Sequence, residues 1–212
     1  VAKTVVAPTL PPNVAVIYVR PWEKVADTIA YNEQLLVDAL AQQIINRRLV
    51  TQARAGSTFS VAEVAQEDIS RSADTTTVII TPIGDNWQKA VVDVRAIIAD
   101  ATTTPPSAAD IERELALFGN ALRTMRDSYP FEAAAKQADD IVKAVDIRET
   151  IAAPDTVVAV YENMRDKFTP ERLFAATKAL FTADPVRILR TTPVADGTDA
   201  DVRLAKALTE PV

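Results

Sequence analysis

The side chains available for chemistry in this chain are carboxylates, amines, guanidinia, hydroxyls and amides. Its 212 residues include no histidine and no cysteine. Zinc is held by Cys thiolates, His imidazoles and carboxylates, and a catalytic zinc site nearly always includes a His. Histidine is also the usual general acid or base near neutral pH, and the usual partner of a nucleophilic Ser or Cys. Composition therefore excludes a His-based zinc centre, a Ser-His-Asp triad and a Cys-His pair. No catalytic residue, cofactor-binding residue or metal ligand is assigned in the chain. The four glycines, Gly56, Gly84, Gly119 and Gly197, stand too far apart for a G-x-G-x-x-G or Walker A phosphate loop.

The remaining polar clusters each have two readings. Arg47 and Arg48 close a long helical pattern and could grip a partner domain or a peptide carboxylate through bidentate hydrogen bonds. The plainer reading is a basic last turn that favours the helix dipole. Glu67, Asp68 and Asp74 flank an expected hairpin, but calcium takes roughly six to eight oxygens from a compact loop with a turn glycine, so a solvated loop is the better expectation. Asp139–Asp140 and Glu112/Glu114 fall in helical segments, where adjacent carboxylates diverge and form a wet face. Trp22 and Trp87 suit interface anchors or core packing, core being favoured.

Behind these residues stands an ordinary globular composition, with 48% apolar and 25% charged residues. The net charge of −6, from 23 basic and 29 acidic residues, argues against a nucleic-acid footprint. No apolar run approaches the roughly 20 residues of a membrane span. The N-terminus lacks the basic and apolar regions of a signal peptide, so any export signal is expected to be cleaved or upstream. The absence of Cys suits cytoplasm and periplasm alike.

Residues 1–13, with Pro8, Pro11 and Pro12, read as an extended, poorly ordered lead-in. A strand over 14–19 precedes a helix from about Lys24 to Ala53, with Val25, Ile29, Leu36, Leu40, Ile44 and Leu49 inward. Two antiparallel strands follow, at 58–64 and 75–81. In the first, alternation puts Phe59, Val61 and Glu63 on one side and Ser60, Ala62 and Val64 on the other. The second suits an edge that receives a peptide strand or an interior position equally well. Helices are expected from about residue 87, from Ser107, over 131–145, over 155–167 and from Thr169, which combines a hydroxyl cap with Pro170 and Glu171. A last strand covers 186–190. The fold class is α+β: a single domain over 14–192, an antiparallel sheet with helices packed on one face, and a C-terminal linker over 193–212 with a short helix.

Within this order, Asn46-Arg-Arg-Leu49 closes a long helix ahead of a strand. Arg71-Ser-Ala-Asp74, Pro82-Ile-Gly-Asp-Asn-Trp87, Ile111-Glu-Arg-Glu-Leu115 and Phe168-Thr-Pro-Glu171 follow. Together, over residues 14–192, they resemble the second domain of a pitrilysin/insulinase-family, inverted-motif zinc metallopeptidase of the bacterial processing-peptidase type. The resemblance implies a metallohydrolase-like half-unit that shares the family fold and lacks its metal. The zinc motif His-x-x-Glu-His normally sits in the first domain and has no counterpart here. It further implies docking on a zinc-bearing domain or subunit, and two halves that close around a peptide substrate held partly as an added strand. Assisting second domains often carry an Arg and a Tyr after the equivalent helix. Here that stretch is Arg54-Ala-Gly-Ser-Thr-Phe-Ser60, and Phe59 offers no hydroxyl. Arg47, Arg48 and Phe59 are thus expected as partner or peptide contacts, with no catalytic role. Zinc is expected in the partner, and neither nucleic acid nor a membrane span is expected. The compartment stays open, a bacterial periplasm being the family-based expectation. Two alternatives remain: a catalytically silent assembly module of the same fold, and an unrelated His-free enzyme working through carboxylates.

Overall fold

The computed structural model describes residues 1–147 and 150–212. Among these are seven α-helices and a five-stranded sheet of order β1-β5-β2-β4-β3. The strands are β1 (Ala2–Val6), β2 (Asn13–Pro21), β3 (Phe59–Asp68), β4 (Ala73–Pro82) and β5 (Arg187–Thr192). The helices are α1 (Ile29–Arg54), α2 (Trp87–Thr103), α3 (Ala108–Ser128), α4 (Ala134–Ile147), α5 (Pro154–Asn163), α6 (Pro170–Leu180) and α7 (Ala200–Thr209). The α+β class and the strand–helix–hairpin–helices–strand order agree with the sequence.

Two differences bear on the sheet. The segment expected as a poorly ordered lead-in supplies β1, which pairs in parallel with β5, so the sheet is mixed rather than wholly antiparallel. Its partner lies 186 residues further along the chain (Ala2 with Ile188), and no local pattern announces such a pairing. Helix α1 starts five residues later than Lys24, at Ile29, because the Thr28 hydroxyl accepts from the Tyr31 backbone N–H and caps it there. Val25 and Ile29, expected inward, are consequently exposed.

The core has two parts. Between sheet and helices, Val14, Val16, Val64, Val78 and Ile80 meet Ile45 and Leu49 of α1, Val91 and Val94 of α2, and Leu204 of α7. Further along α1, Val37, Leu40 and Ile44 pack with Leu115 of α3, Tyr161 of α5 and Leu173 of α6. Each such side chain removed from water is worth about 1.5–3 kcal/mol. Helix α1 belongs to both parts and therefore fixes the α3–α5–α6 layer relative to the sheet.

The β3–β4 turn passes through Ser70 and Arg71, both left-handed with φ of 45° and 61°. Asn-Gly is the residue pair such a turn favours. Here the Asp68 carboxylate accepts from the Arg71 backbone N–H at 2.7 Å, and the Arg71 guanidinium reaches Asp146 of α4 at 3.2 Å.

Candidate functional site

The helices cover one face of the sheet and leave the other open. Along β2, Val14 and Val16 are buried while Ala15, Ile17 and Val19 are only half-buried. On β4, Val78 and Ile80 are buried and Ile79 is exposed. Strand register aligns Glu63, Ile79, Ala15, Leu189 and Lys3 in one row across all five strands. The next row holds Ala65, Thr77, Ile17 and Arg187, and the one beyond it Glu67, Thr75 and Val19. The open face therefore has an apolar centre on β2 and β4, two carboxylates on β3 and a guanidinium on β5. Among the described residues, the side chains of Glu63, Glu67 and Arg187 have no hydrogen-bond or ion-pair partner. The Lys3 ammonium instead turns to Asp201 of α7 at 3.1 Å. The signal for this face lay in β2: its run Val14-Ala-Val-Ile-Tyr-Val19 is apolar at every position, which marks a strand with both faces apolar.

Both edges of the sheet are guarded. Strand β4, the one considered as a receiving edge, is interior, between β2 and β3. On the β3 edge the Asn46 side chain acts as a short substitute strand: its amide N–H donates to Val64 O at 3.0 Å, and its oxygen accepts from Val64 N at 2.7 Å. On the β1 edge the Asp201 carboxylate accepts from the Thr4 backbone N–H at 2.6 Å. That bond, with Lys3 beside it, holds the Asp201 carboxyl below the usual carboxylate range. Side chains that satisfy edge N–H and C=O groups oppose strand addition.

The residues singled out in the sequence are placed as follows. Arg47 binds Glu114 of α3 at 3.0 Å, and Arg113 reaches the same carboxylate oxygen at 3.2 Å. Glu114 is buried, so these two cations neutralise it. Arg48 binds Asp100 of α2 at 2.9 Å. Both arginines thus tie α1 to neighbouring helices. Phe59 is fully buried and faces the core. A bulge between Phe59 and Val61 shifts the register, placing Phe59 on the covered side with Ala62 and Val64 instead of beside Val61 and Glu63. The structure thus takes Phe59 out of reach of a partner. Trp87 is buried under the Arg190 guanidinium, 4.7 Å from its ring centre. Trp22 donates its indole N–H to Asp68 at 2.7 Å.

At the far end of β2, a cavity of about 560 Å³ opens beneath residues 22–28, lined by Arg20, Trp22, Leu35, Asp38, Asp68 and Asp74 among others. Burial raises the Asp38 carboxyl above its ordinary range, against the donated Gln34 amide and the attraction of Arg172 and Arg20. Burial, reinforced by Asp68, also raises Asp74. A raised carboxyl binds its proton more tightly folded than unfolded. Its contribution is most favourable below the unfolded carboxylate range and is lost as pH rises through the folded pKa. Asp38→Asn is therefore expected to raise the thermal midpoint at pH 7, with the gain shrinking as pH falls below the carboxylate range. Paired melts from pH 3 to 8 check this, and an unchanged midpoint at pH 7 would contradict it.

The donor set does not fit a zinc centre. Without His or Cys only carboxylates remain, and among the described residues no three His, Cys, Asp or Glu side chains are grouped to hold a metal ion. Also among the described residues, no helix is long and apolar enough to cross a membrane.

No family model and no curated protein matches this sequence. Solved structures do match its shape. The periplasmic protease PqqL from Escherichia coli superposes with a TM-score of 0.80 at 13% identity, over 99% of this chain and 24% of that one. A protein described as a predicted insulinase family protease from Yersinia pestis gives 0.79 at 8% identity, over 98% and 46%. A peptidase M16 inactive domain from Pseudomonas fluorescens gives 0.61 at 10% identity, over 92% and 44%. The chain has the fold of a pitrilysin/insulinase-type M16 peptidase unit, and it spans 24% to 46% of the length of these proteins.

Proposed function

We propose that this chain is a zinc-free unit of an M16-type peptidase, which docks on a zinc-bearing domain or subunit and supplies one wall of the chamber that holds the peptide. The observation that carries this reading is the pairing of an M16-type fold with a sequence lacking histidine. In such an assembly the partner contributes the metal and the general base. This chain contributes surface, and we assign that role to the open face of the sheet. Apolar side chains at the centre of an uncovered sheet face, with Ile79 exposed among them, fit an interface or binding groove.

The test is reconstitution. The chain is purified alone and together with the zinc-bearing M16-type domain of its host, identified by an inverted His-x-x-Glu-His motif in the same reading frame or a neighbouring gene. Each preparation is assayed on a quenched fluorescent peptide library, with and without chelator. The expected result is no turnover by the chain alone and chelator-sensitive turnover by the complex. Hydrolysis by the isolated chain would overturn the proposal. A stable complex that neither binds nor cleaves peptides would replace it with a silent assembly module.

A further inference from the structure

We infer that the open sheet face selects extended peptides that combine apolar with basic side chains, and that it reads them through side chains rather than by strand addition. The inference deepens the chamber reading above and rests on it.

Three observations converge. Ile79, Ile17 and Val19 sit in adjacent rows and give the face an apolar centre, against which alternate side chains of an extended peptide can lie. Glu63 and Glu67 stand on the same strand and the same face, and among the described residues neither carboxylate is engaged. Four residues of extended chain separate them, roughly 13 Å. A peptide running along β3 with basic residues at i and i+4 meets both. On the opposite side, Lys3 is held by Asp201, which leaves Arg187 as the cation of these rows without a partner among the described residues. Among the described residues the face thus presents two unpaired carboxylates and one unpaired guanidinium, the two acids lying together beside the apolar centre. An acidic peptide would set its charges against Glu63 and Glu67, whereas a basic one pairs with them.

The guarded edges decide how the peptide is read. Asn46 occupies the outward backbone groups of Val64, and Asp201 takes the outward N–H of Thr4. A guest strand running past Val64 or Thr4 would have to displace one of them to continue its own ladder. Main-chain pairing suits any sequence, whereas contact through side chains makes the face sensitive to composition.

The test uses the full chain and two labelled peptides with identical apolar residues, one with Lys and one with Glu at positions i and i+4, followed by fluorescence anisotropy at low salt. Two solvent-exposed charge pairs are expected to favour the Lys peptide by about fivefold. The preference should fall with added salt and reverse in the Glu63→Lys/Glu67→Lys variant, whose exposed positions leave the core untouched. Equal affinity for both peptides overturns the charge selection and leaves the chamber reading standing. A Lys preference that survives in the double variant also overturns it, by placing the selecting charge elsewhere. If neither peptide binds the chain alone or in complex with its zinc-bearing partner, both the selection and the chamber reading fail.

Discussion

Phe59→Ala is expected to lower the stability of this chain by about 3–5 kcal/mol, the usual range for emptying a buried aromatic site. A single domain has about 5–15 kcal/mol in total, so urea unfolding should shift far toward low denaturant. The ring is fully buried where β3 enters the sheet, in the core shared by sheet and helices. Phe59→Leu keeps most of the volume and should cost far less, about 1 kcal/mol. The pair separates the two roles this residue was given. A core residue loses stability in the order Ala, Leu, wild type, and Phe59→Leu binds peptide as the wild type does. A peptide contact would show the reverse: an unchanged urea midpoint and weakened peptide binding.

Phe59 also shows where sequence reading stops. Strict alternation from Thr58 puts it on the side of Val61 and Glu63 and puts Ser60 with Ala62 and Val64. The structure buries Phe59 and exposes Ser60, and alternation is correct only from Val61 onward, where Ala62 and Val64 are buried and Val61 and Glu63 exposed. One extra residue in the strand reverses the assignment upstream of it, and a bulge leaves no mark in the hydrophobic pattern. The same limit applies to β1, whose five residues acquire meaning only through β5 at the other end of the chain. Local signals fared better. Ser107 and Thr169 accept from the backbone N–H groups of Asp110 and Arg172, at the starts of α3 and α6. The stripe Trp87, Val91, Val94 and Ile98 is buried on α2. Arg47 and Arg48 fall between the two cases. Their position near the end of a helix was plain, but their partners Glu114 and Asp100 lie on helices that only the tertiary fold brings near. The open face was half legible: β2 announced two apolar faces, while the alignment of Glu63 and Glu67 with that apolar centre depended on inter-strand register.

Gly119→Ala is expected to destabilise the chain by about 2 kcal/mol, although alanine is the better helix former by about 1 kcal/mol. Gly119 lies within α3, where a Cβ would stand 2.8 Å from Tyr161 Cε1 and 2.9 Å from its hydroxyl oxygen. The ring cannot simply withdraw. Its hydroxyl donates to Leu115 O at 2.6 Å, and it packs edge-on to Phe118 and tilted against Phe168, with centroids 5.8 and 6.0 Å away. Moving it breaks the hydrogen bond and leaves a buried hydroxyl unsatisfied, a further loss of about 1–3 kcal/mol. A double-mutant cycle isolates the contact. Tyr161→Leu alone loses stability, through the cavity and the lost bond. In that background Gly119→Ala should become neutral or stabilising, because the clash has gone and the helix propensity remains. A coupling energy near zero would mean that the glycine serves some purpose other than making room for the ring. A large coupling would establish Gly119 and Tyr161 as the joint by which α5 is seated on α3, the layer that α1 holds in place beside the sheet.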